Sequence, residues 1–480
     1  QQSVHHTAHS LAIRMRHLVL LLSTASAQVR IQYPLGAGPV VVQCPSGDIT
    51  VTCGEAALGT APASVDPTVA ALRQQVAAME ARITRLVDEA GKASVTAAVS
   101  AAGHVEAASR SEPAPSSAAA ELWPPPSAAE SALLSRLELT PAQLYGSADL
   151  DLSSRHLDDS DSRTLAALLA ARGASGLRAL RRLWLSENRI GDEGAAAILA
   201  ALQAAGGLHG LTALYLTNNQ LGPPTARALA DALGGGGGGG GAEELLELNL
   251  SENQLGDLGL QLLTEKLRLP RLEELAISDN RLGDVGVRAL AAALGAGAAP
   301  RLRQLLLDHN KLGGSAAALG RALGGATQLE QLDLSYNLLD DDAASQLASA
   351  LRESGAAARL LRLWLGSNHL TDAAVVAIAE ALESGAPAGG GIELIELSLQ
   401  WNTVADRGAA ALGRAVSSGA LSRLQYLYLD NNQIGDDGAV ALAKSLKAAG
   451  APVLKELHIW SNHIGDAGRV AFEEALSTHT

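Results

Sequence analysis

Ten asparagines at nearly regular spacing are the most prominent candidates for chemistry in this sequence. Successive asparagines are separated by 27 to 34 residues, and each follows a short run of alternating leucines. They are Asn188, Asn219, Asn253, Asn280, Asn310, Asn337, Asn368, Asn402, Asn432 and Asn462. An asparagine amide both donates and accepts hydrogen bonds, so it can satisfy backbone groups that a turn leaves unpaired. Because every copy has the same setting, the spacing predicts a structural ladder rather than a calcium or catalytic site.

Other reactive side chains lack the spacing that catalysis or metal binding requires. The histidines form no H-E-x-x-H motif, the serines form no G-x-S-x-G elbow, and no G-K-[ST] follows the octaglycine at 234–241. Cys44 and Cys53 have no nearby His or further Cys, so they fit a disulfide better than a metal site. The sequence therefore predicts no enzyme, with no catalytic residues, no metal and no cofactor.

Aromatic side chains are concentrated at variable positions beside the leucines and the asparagine. Eight of the twelve aromatic residues lie there: Trp184, Tyr215, Tyr336, Trp364, Trp401, Tyr426, Tyr428 and Trp460. Side chains alternate along a strand, so these residues should face away from the leucines and be available as ligand-binding anchors. Five of the eight lie from Trp364 onward, which favours a main contact in the C-terminal repeats. An alternative is that bulky residues merely suit strands and stack on one another.

Charges on the same face are mostly acidic, and the whole chain has a net charge of −14. The acidic positions are Asp149, Asp151, Glu187, Glu247, Glu252, Glu274, Asp279, Asp308, Asp333, Glu396, Asp430 and Glu456. The basic positions are Arg182, Arg189, Arg281, Lys311 and Arg362. Nucleic acids and anionic membrane surfaces require a basic footprint, so both are poor partners, and no nucleic acid is expected. The face instead predicts a protein or peptide ligand with basic groups, while a glycan on the aromatic rings remains open.

The asparagines belong to a repeated string whose clearest copy is LAISDNRLGDVG, at Leu275–Gly286. Its skeleton is L-x-L-x-x-N-x-L-G-D-x-G, and an alanine- and leucine-rich run follows each copy. With an earlier copy that carries Arg155 in place of Asn, there are about eleven units. This pattern resembles the leucine-rich repeat, and the G-D-x-G with its helix resembles the ribonuclease-inhibitor-like subclass. In each unit we expect the motif aspartate, such as Asp192, to cap its own helix.

The resemblance implies an α/β solenoid, a horseshoe over residues 131–480, with parallel strands on the concave face and helices on the convex face. Its implied function is a non-enzymatic scaffold that binds a protein or peptide on the concave face. That subclass also includes the Ran GTPase-activating protein, so a GTPase activator is an alternative, as is a glycan-binding repeat protein. None of that activator's functional residues can be matched to positions here.

The region before the repeats divides into four segments by composition. Residues 1–27 read as a signal-like leader that ends in A-x-A, and residues 28–65 as a small disulfide hairpin containing Cys44 and Cys53. Residues 66–92 carry an a/d heptad seam that predicts a short coiled-coil helix. Residues 93–130, rich in Ala, Ser and Pro, predict a disordered linker.

These segments predict where the protein acts and with which partners. The leader and the cysteine pair favour a secreted or cell-surface protein, and a cytoplasmic location is the alternative. No run of 18 apolar residues occurs, so no transmembrane segment is expected. The heptads at 66–90 predict a parallel homodimer, unless that helix packs on its own chain.

Overall fold

The computed structural model describes residues 126–171, 177, 179–234, 241–326, 328–356, 359–385, 392–449 and 454–476, and three short strands nearer the N-terminus. The chain divides into two compact units, Gln1–Ser116 and Ser117–Thr480. The signal-like leader, the coiled coil and nearly all of the linker lie outside the described residues, so they stay predictions.

The first unit contains a small antiparallel sheet with the strand order β1 (Arg30–Gln32), β2 (Val40–Cys44) and β3 (Gly47–Val51). Val40 pairs with Val51 and Cys44 pairs with Gly47, so β2 and β3 form an antiparallel hairpin. Cys44 therefore adjoins the turn. Cys53 is outside the described residues, so the Cys44–Cys53 disulfide remains a prediction.

The second unit is built on eleven parallel strands of three residues each, hydrogen-bonded in sequence order. They are β4 (Asp149–Asp151), β5 (Arg182–Trp184), β6 (Ala213–Tyr215), β7 (Glu247–Asn249), β8 (Glu274–Ala276), β9 (Gln304–Leu306), β10 (Gln331–Asp333), β11 (Arg362–Trp364), β12 (Glu396–Ser398), β13 (Tyr426–Tyr428) and β14 (Glu456–His458). The middle residue of every strand is leucine, and each leucine pairs with the leucine of the next strand, as Leu183 does with Leu214. One leucine per strand therefore enters the core in strict register.

Helices α1 (Ala128–Arg136) and α2 (Pro141–Gly146) precede β4, the first strand of the solenoid, and one α-helix follows each of the eleven strands. The latter are α3 (Asp159–Ala170), α4 (Asp192–Ala204), α5 (Pro223–Leu233), α6 (Gly256–Glu265), α7 (Asp284–Gly295), α8 (Ala316–Ala326), α9 (Asp341–Glu353), α10 (Asp372–Gly385), α11 (Asp406–Ser417), α12 (Asp436–Ala448) and α13 (Asp466–Leu476). Neighbouring strands lie about 4.8 Å apart, whereas packed helices need about 8–10 Å. The strands therefore line the inner side of the solenoid and the helices its outer side, as the repeat pattern predicts.

The core of the solenoid is made almost entirely of leucine and alanine, with a few valines and isoleucines. Among the described residues, Tyr145 is the single aromatic in this core, and its hydroxyl donates to the Leu168 carbonyl at 2.8 Å. Phe472, on α13, is partly buried and packs against this core. The other described aromatics of the repeats lie on the strands or on the turns that follow them.

The aspartate of the G-D-x-G motif acts between repeats, and the expectation that it caps its own helix is wrong. The N-cap of α4 is Gly191, without a side-chain bond, and Asp192 is the first helical residue. Oδ1 of Asp192 instead accepts hydrogen bonds from the backbone N–H groups of Gly222 at 2.8 Å and Thr225 at 3.1 Å, at the start of the next helix. The same bridge recurs from Asp159, Asp257, Asp284, Asp341, Asp372, Asp406 and Asp436.

Two of the three repeat helices without such an aspartate one repeat upstream are capped by a residue of their own, whereas α6, which follows Pro223 at the motif position, has no side-chain cap. The first repeat helix, α3, is capped by its own Asp158, which accepts from the Asp161 N–H at 2.9 Å. Gly314 takes the motif position before α9, and α9 is likewise capped by its own Asp340, which accepts from the Ala343 N–H at 2.9 Å. Carboxylates favour helix N-termini because unpaired N–H groups concentrate there.

The second glycine of the motif is a packing requirement. A Cβ added at Gly438 would lie 2.6 Å from both Cα and Oδ1 of Asp406, whereas one added at Gly146 would meet nothing within 4 Å. We expect Gly438→Ala to lower the free energy of unfolding by about 1–3 kcal/mol. Gly146→Ala should change it by less than about 0.5 kcal/mol. Urea denaturation of both variants checks this, and equal stability of the two would contradict it.

Asp284 makes part of the fold's stability depend on pH. Its partial burial opposes ionisation, but the N–H groups of Gly313 and Ser315, each 3.0 Å from Oδ1, outweigh burial and hold its pKa below the usual value. A lowered pKa in the folded state stabilises the fold above the unfolded pKa, near 3.9, and this stabilisation is lost as pH falls through the folded pKa. The stability difference between wild type and Asp284→Asn should therefore be full at pH 7 and smaller at pH 3. Urea denaturation at both pH values measures it, and a difference that does not change with pH would refute the assignment.

Candidate functional site

The candidate site is the surface that we call the strand face. It consists of the outward positions on each strand and on the turn that leads to the ladder asparagine. All eight aromatics predicted as ligand-binding lie on it. Trp184, Tyr215, Trp364, Tyr426 and Tyr428 are half-buried there. Tyr336, Trp401 and Trp460 are exposed by 40%, 51% and 59%.

The ladder asparagines lie beneath this surface, and their amide groups have few hydrogen-bonding positions left for a ligand. Nδ2 of Asn310 donates to the carbonyl of Leu307 at 3.0 Å and, one repeat earlier, of Ile277 at 3.2 Å. Its Oδ1 accepts from the backbone N–H groups of Asn280 at 3.0 Å and Leu282 at 2.9 Å. The other ladder asparagines repeat this bridge to the preceding unit, beginning with Asn188 and ending with Asn462. Their amides are therefore occupied in holding the turns.

The N-terminal aromatics of the strand face are packed against their own neighbours. The rings of Trp184 and Tyr215 stack with centroids 5.6 Å apart and planes 3° from parallel. The guanidinium of Arg182 lies 5.3 Å from the Trp184 centroid and donates two hydrogen bonds to Asp149, at 2.8 and 2.7 Å. Burial and a hydrogen bond to Glu247 raise the pKa of Tyr215. This cluster matches the alternative in which bulky residues stack on one another.

The central part of the strand face contains a polar cluster that sequence reasoning missed. The His309 imidazole stacks on Tyr336 with centroids 4.0 Å apart, and its Nδ1 lies 2.8 Å from an oxygen of Asp308. Asp308 also accepts a hydrogen bond from Ser278. Aligning the repeats could have found the stack, because His309 and Tyr336 both immediately precede a ladder asparagine.

Two C-terminal aromatics are also held by polar neighbours. Nε1 of Trp364 donates to Glu396 at 2.6 Å, and the same carboxylate lies 3.4 Å from Arg362. The rings of Tyr428 and His458 adopt a T-shaped arrangement with centroids 4.9 Å apart. Of the five predicted basic residues, Arg182 and Arg362 thus pair with carboxylates of this surface, which reduces the free positive charge near the strands.

Trp401 and Trp460 differ from Trp184 and Trp364, because their indoles are exposed. Their hydrogen bonds to the neighbouring repeat are made by their main-chain N–H groups. The Trp401 N–H donates to the Asp430 carbonyl at 2.8 Å, and the Trp460 N–H donates to the Asp430 carboxylate at 2.9 Å. Asp430 is 8% exposed and lies two residues beyond the end of β13, in the repeat between those of Trp401 and Trp460. Burial raises the pKa of the Asp430 carboxyl, although the Trp460 N–H and His458 lower it. Asp430, a poorly solvated carboxylate, is thus hydrogen-bonded to the main chain of both tryptophans.

The described residues show neither a metal site nor a membrane helix. Within them, no three His, Cys, Asp or Glu side chains converge in a way that could hold a metal ion. None of their helices is long and apolar enough to cross a membrane.

The parallel strands, the asparagine ladder and the outer helices form a solenoid like that of leucine-rich-repeat proteins. The leucine-rich-repeat family matches six segments: residues 177–199, 245–263, 269–291, 394–413, 422–443 and 450–472. The chain therefore contains leucine-rich repeats. No curated protein matches the sequence.

Solved structures similar to this chain include three leucine-rich-repeat proteins. An internalin from Listeria monocytogenes has 18% identity over 73% of this chain and 94% of its own, with a TM-score of 0.43. The Arabidopsis receptor kinase HAESA ectodomain, with an IDA peptide hormone, has 21% identity over 60% of this chain and 38% of its own, with a TM-score of 0.34. Yeast Rad7, in complex with Elc1, has 17% identity over 72% of this chain and 79% of its own, with a TM-score of 0.38. At these identities the likeness concerns the fold alone.

Proposed function

We propose that this protein is a non-enzymatic scaffold that binds a protein or peptide on the strand face of its C-terminal repeats, from β11 to β14. The single observation that carries the proposal is the exposure of Trp401 and Trp460 on a face where other aromatics contact neighbours. Large indoles left in water lose the stabilisation that burial would bring. Tryptophan is also a side chain that contributes most to binding when a partner buries it.

The ligand we propose carries basic groups. Glu396, Asp430 and Glu456 lie on this part of the surface, and Arg362 is its one arginine or lysine on the strands. Acidic groups around an aromatic core attract a basic partner over distances of about a Debye length and discriminate against acidic ones. The packed N-terminal cluster around Trp184 is a weaker candidate, because its rings already contact one another.

The finer features of the proposal rest on sequence pattern. The ribonuclease-inhibitor-like subclass agrees with the helix in every repeat. Secretion or display at the cell surface agrees with the signal-like leader, and homodimerisation through residues 66–90 agrees with the heptads. A tagged full chain found in cytosol or nucleus would favour the GTPase-activator alternative over a secreted binder.

The test of the proposal is affinity capture by the full chain from the cells that express it. A Trp364/Trp401/Trp460 triple alanine variant should lose the captured protein while retaining its thermal transition. Leu258→Ala is a matched control, because Leu258 is 58% exposed, close to Trp460, but belongs to helix α6 on the outer side. Identical capture by wild type and the triple variant would reject the proposed surface.

A further inference from the structure

We propose that Trp401, Asp430 and Trp460 form a subsite for one cationic side chain of the ligand, an arginine or lysine held between the two indoles and over the carboxylate. The inference rests on the proposed function and deepens it, because it assigns the chemistry at one point of the strand face.

Spacing along the sheet supports the subsite. Trp401, Asp430 and Trp460 belong to three consecutive repeats. The main-chain N–H of Trp401 donates to the Asp430 carbonyl at 2.8 Å, and that of Trp460 donates to the Asp430 carboxylate at 2.9 Å. Neighbouring strands lie about 5 Å apart, so long side chains from the repeats on either side can reach a group bound at Asp430. Cations bind aromatic faces when they lie within about 6 Å of the ring centroid.

Electrostatics at Asp430 favour a cation there. The side chain is 12% exposed, and its nearest positive candidate is His458, whose Nδ1 lies 3.7 Å away. His458 also lies near a second carboxylate, because its Nε2 is 3.5 Å from an oxygen of Glu456. A largely buried carboxylate is costly unless a positive charge or several hydrogen bonds compensate it. A ligand guanidinium or ammonium supplies that compensation, and a guanidinium can also stack on the indoles.

The fold itself has no need of tryptophan at position 401. Trp401 has φ 55°, in the left-handed region, and immediately precedes its ladder asparagine. Asn431 and Ser461 take the equivalent place in the next two repeats, at φ 53° and 51°. Small polar residues suit this conformation better than bulky ones. His309 and Tyr336 are bulky residues at the same place, but their rings stack on each other, whereas half of the Trp401 side chain is exposed. This difference favours a role for Trp401 in recognition.

The test uses two ten-residue probe peptides. In one, glycine alternates with arginine, and in the other, glycine alternates with citrulline. Citrulline has nearly the same shape as arginine but is neutral. Calorimetry with the full chain at 150 mM salt should show binding of the arginine peptide. The citrulline peptide should bind about tenfold more weakly, because it lacks the charge. Trp401→Ala and Trp460→Ala should each weaken arginine-peptide binding by about 3- to 30-fold, and Asp430→Asn by about tenfold.

Controls keep the outcome decisive. Trp401→Phe and Trp460→Phe preserve an aromatic face and should bind more tightly than the alanine variants, and Leu258→Ala should bind as wild type does. Thermal melting of every variant verifies its fold. Equal binding of both peptides, binding unaffected by the three site variants, or no binding of the arginine peptide would overturn the subsite. Binding of maltohexaose instead would assign the indoles to a neutral glycan. The two proposals can fail separately. If the peptide test failed but the Trp364/Trp401/Trp460 triple variant still lost its captured protein, the cationic subsite would be rejected and the scaffold function would stand.

Discussion

Replacing Asn280 by alanine is expected to lower the free energy of unfolding by about 1–3 kcal/mol, because it strands buried backbone groups. Asn280 is fully buried. Its Nδ2 donates to the carbonyls of Leu250 at 2.9 Å and Ser278 at 3.0 Å, and its Oδ1 accepts from the Leu255 N–H at 3.3 Å. No alanine side chain can replace these bonds, and the site is closed to bulk solvent. Urea denaturation followed by circular dichroism measures the loss.

Asn462→Ala is the matched control for this ladder position. Asn462 makes the same type of bonds, including one from the Ile434 N–H at 2.9 Å, but it is only partly buried. Water can replace some of its partners, so we expect a smaller loss than for Asn280→Ala. An unchanged transition for Asn280→Ala, or a larger loss for Asn462→Ala, would contradict the ladder as a source of stability.

Asp406→Ala is expected to cost about 1.5–3 kcal/mol, because it removes a charged acceptor from the start of the following helix. Oδ1 of Asp406 accepts from the N–H groups of Gly435 at 2.7 Å and Gly438 at 2.9 Å, at the N-terminus of α12. Asp406→Asn retains an acceptor oxygen and should lose less. Thermal and urea denaturation of the two variants measure the difference.

Asp466 provides the control for the bridge between repeats. It has the same position in its motif as Asp406, but its side chain is 89% exposed and pairs with Arg469 on its own helix. Asp466→Ala should therefore change stability by less than about 0.5 kcal/mol. If Asp466→Ala and Asp406→Ala had equal effects, the bridge to the next helix would not be the reason for the aspartate.

The sequence predicted those parts of the fold that depend on periodicity. Leucine at fixed spacing predicts one inward side chain per strand, and Leu183 and its equivalents pair in register. The asparagine spacing likewise indicated a turn that recurs in every unit. The aspartate was assigned to the wrong helix, because Asp192 stands next to the start of its own helix in sequence. Only the stacking of repeats reveals that the next helix lies within reach of its carboxylate.

Alternation along the strands also predicted which side chains leave the core, but not which of them remain available. Trp184 is the last residue of β5, whereas Trp401 lies in the turn immediately before its ladder asparagine. Trp184 lies beside Tyr215 and stacks with it, whereas Trp401 lies beside Asp430 and keeps its indole half exposed. The difference depends on the residues that the neighbouring repeat contributes beside each ring. A single repeat read alone therefore cannot distinguish a packed ring from a free one.

Amide hydrogen exchange of the full chain, with and without its captured protein, tests the central claim most directly. The account predicts slower exchange on binding in the segments 362–368, 396–402, 426–432 and 456–462, where the strand face of β11 to β14 lies. Helices on the outer side should be unaffected. Protection confined to those helices, or to the N-terminal repeats around Trp184, would contradict the account.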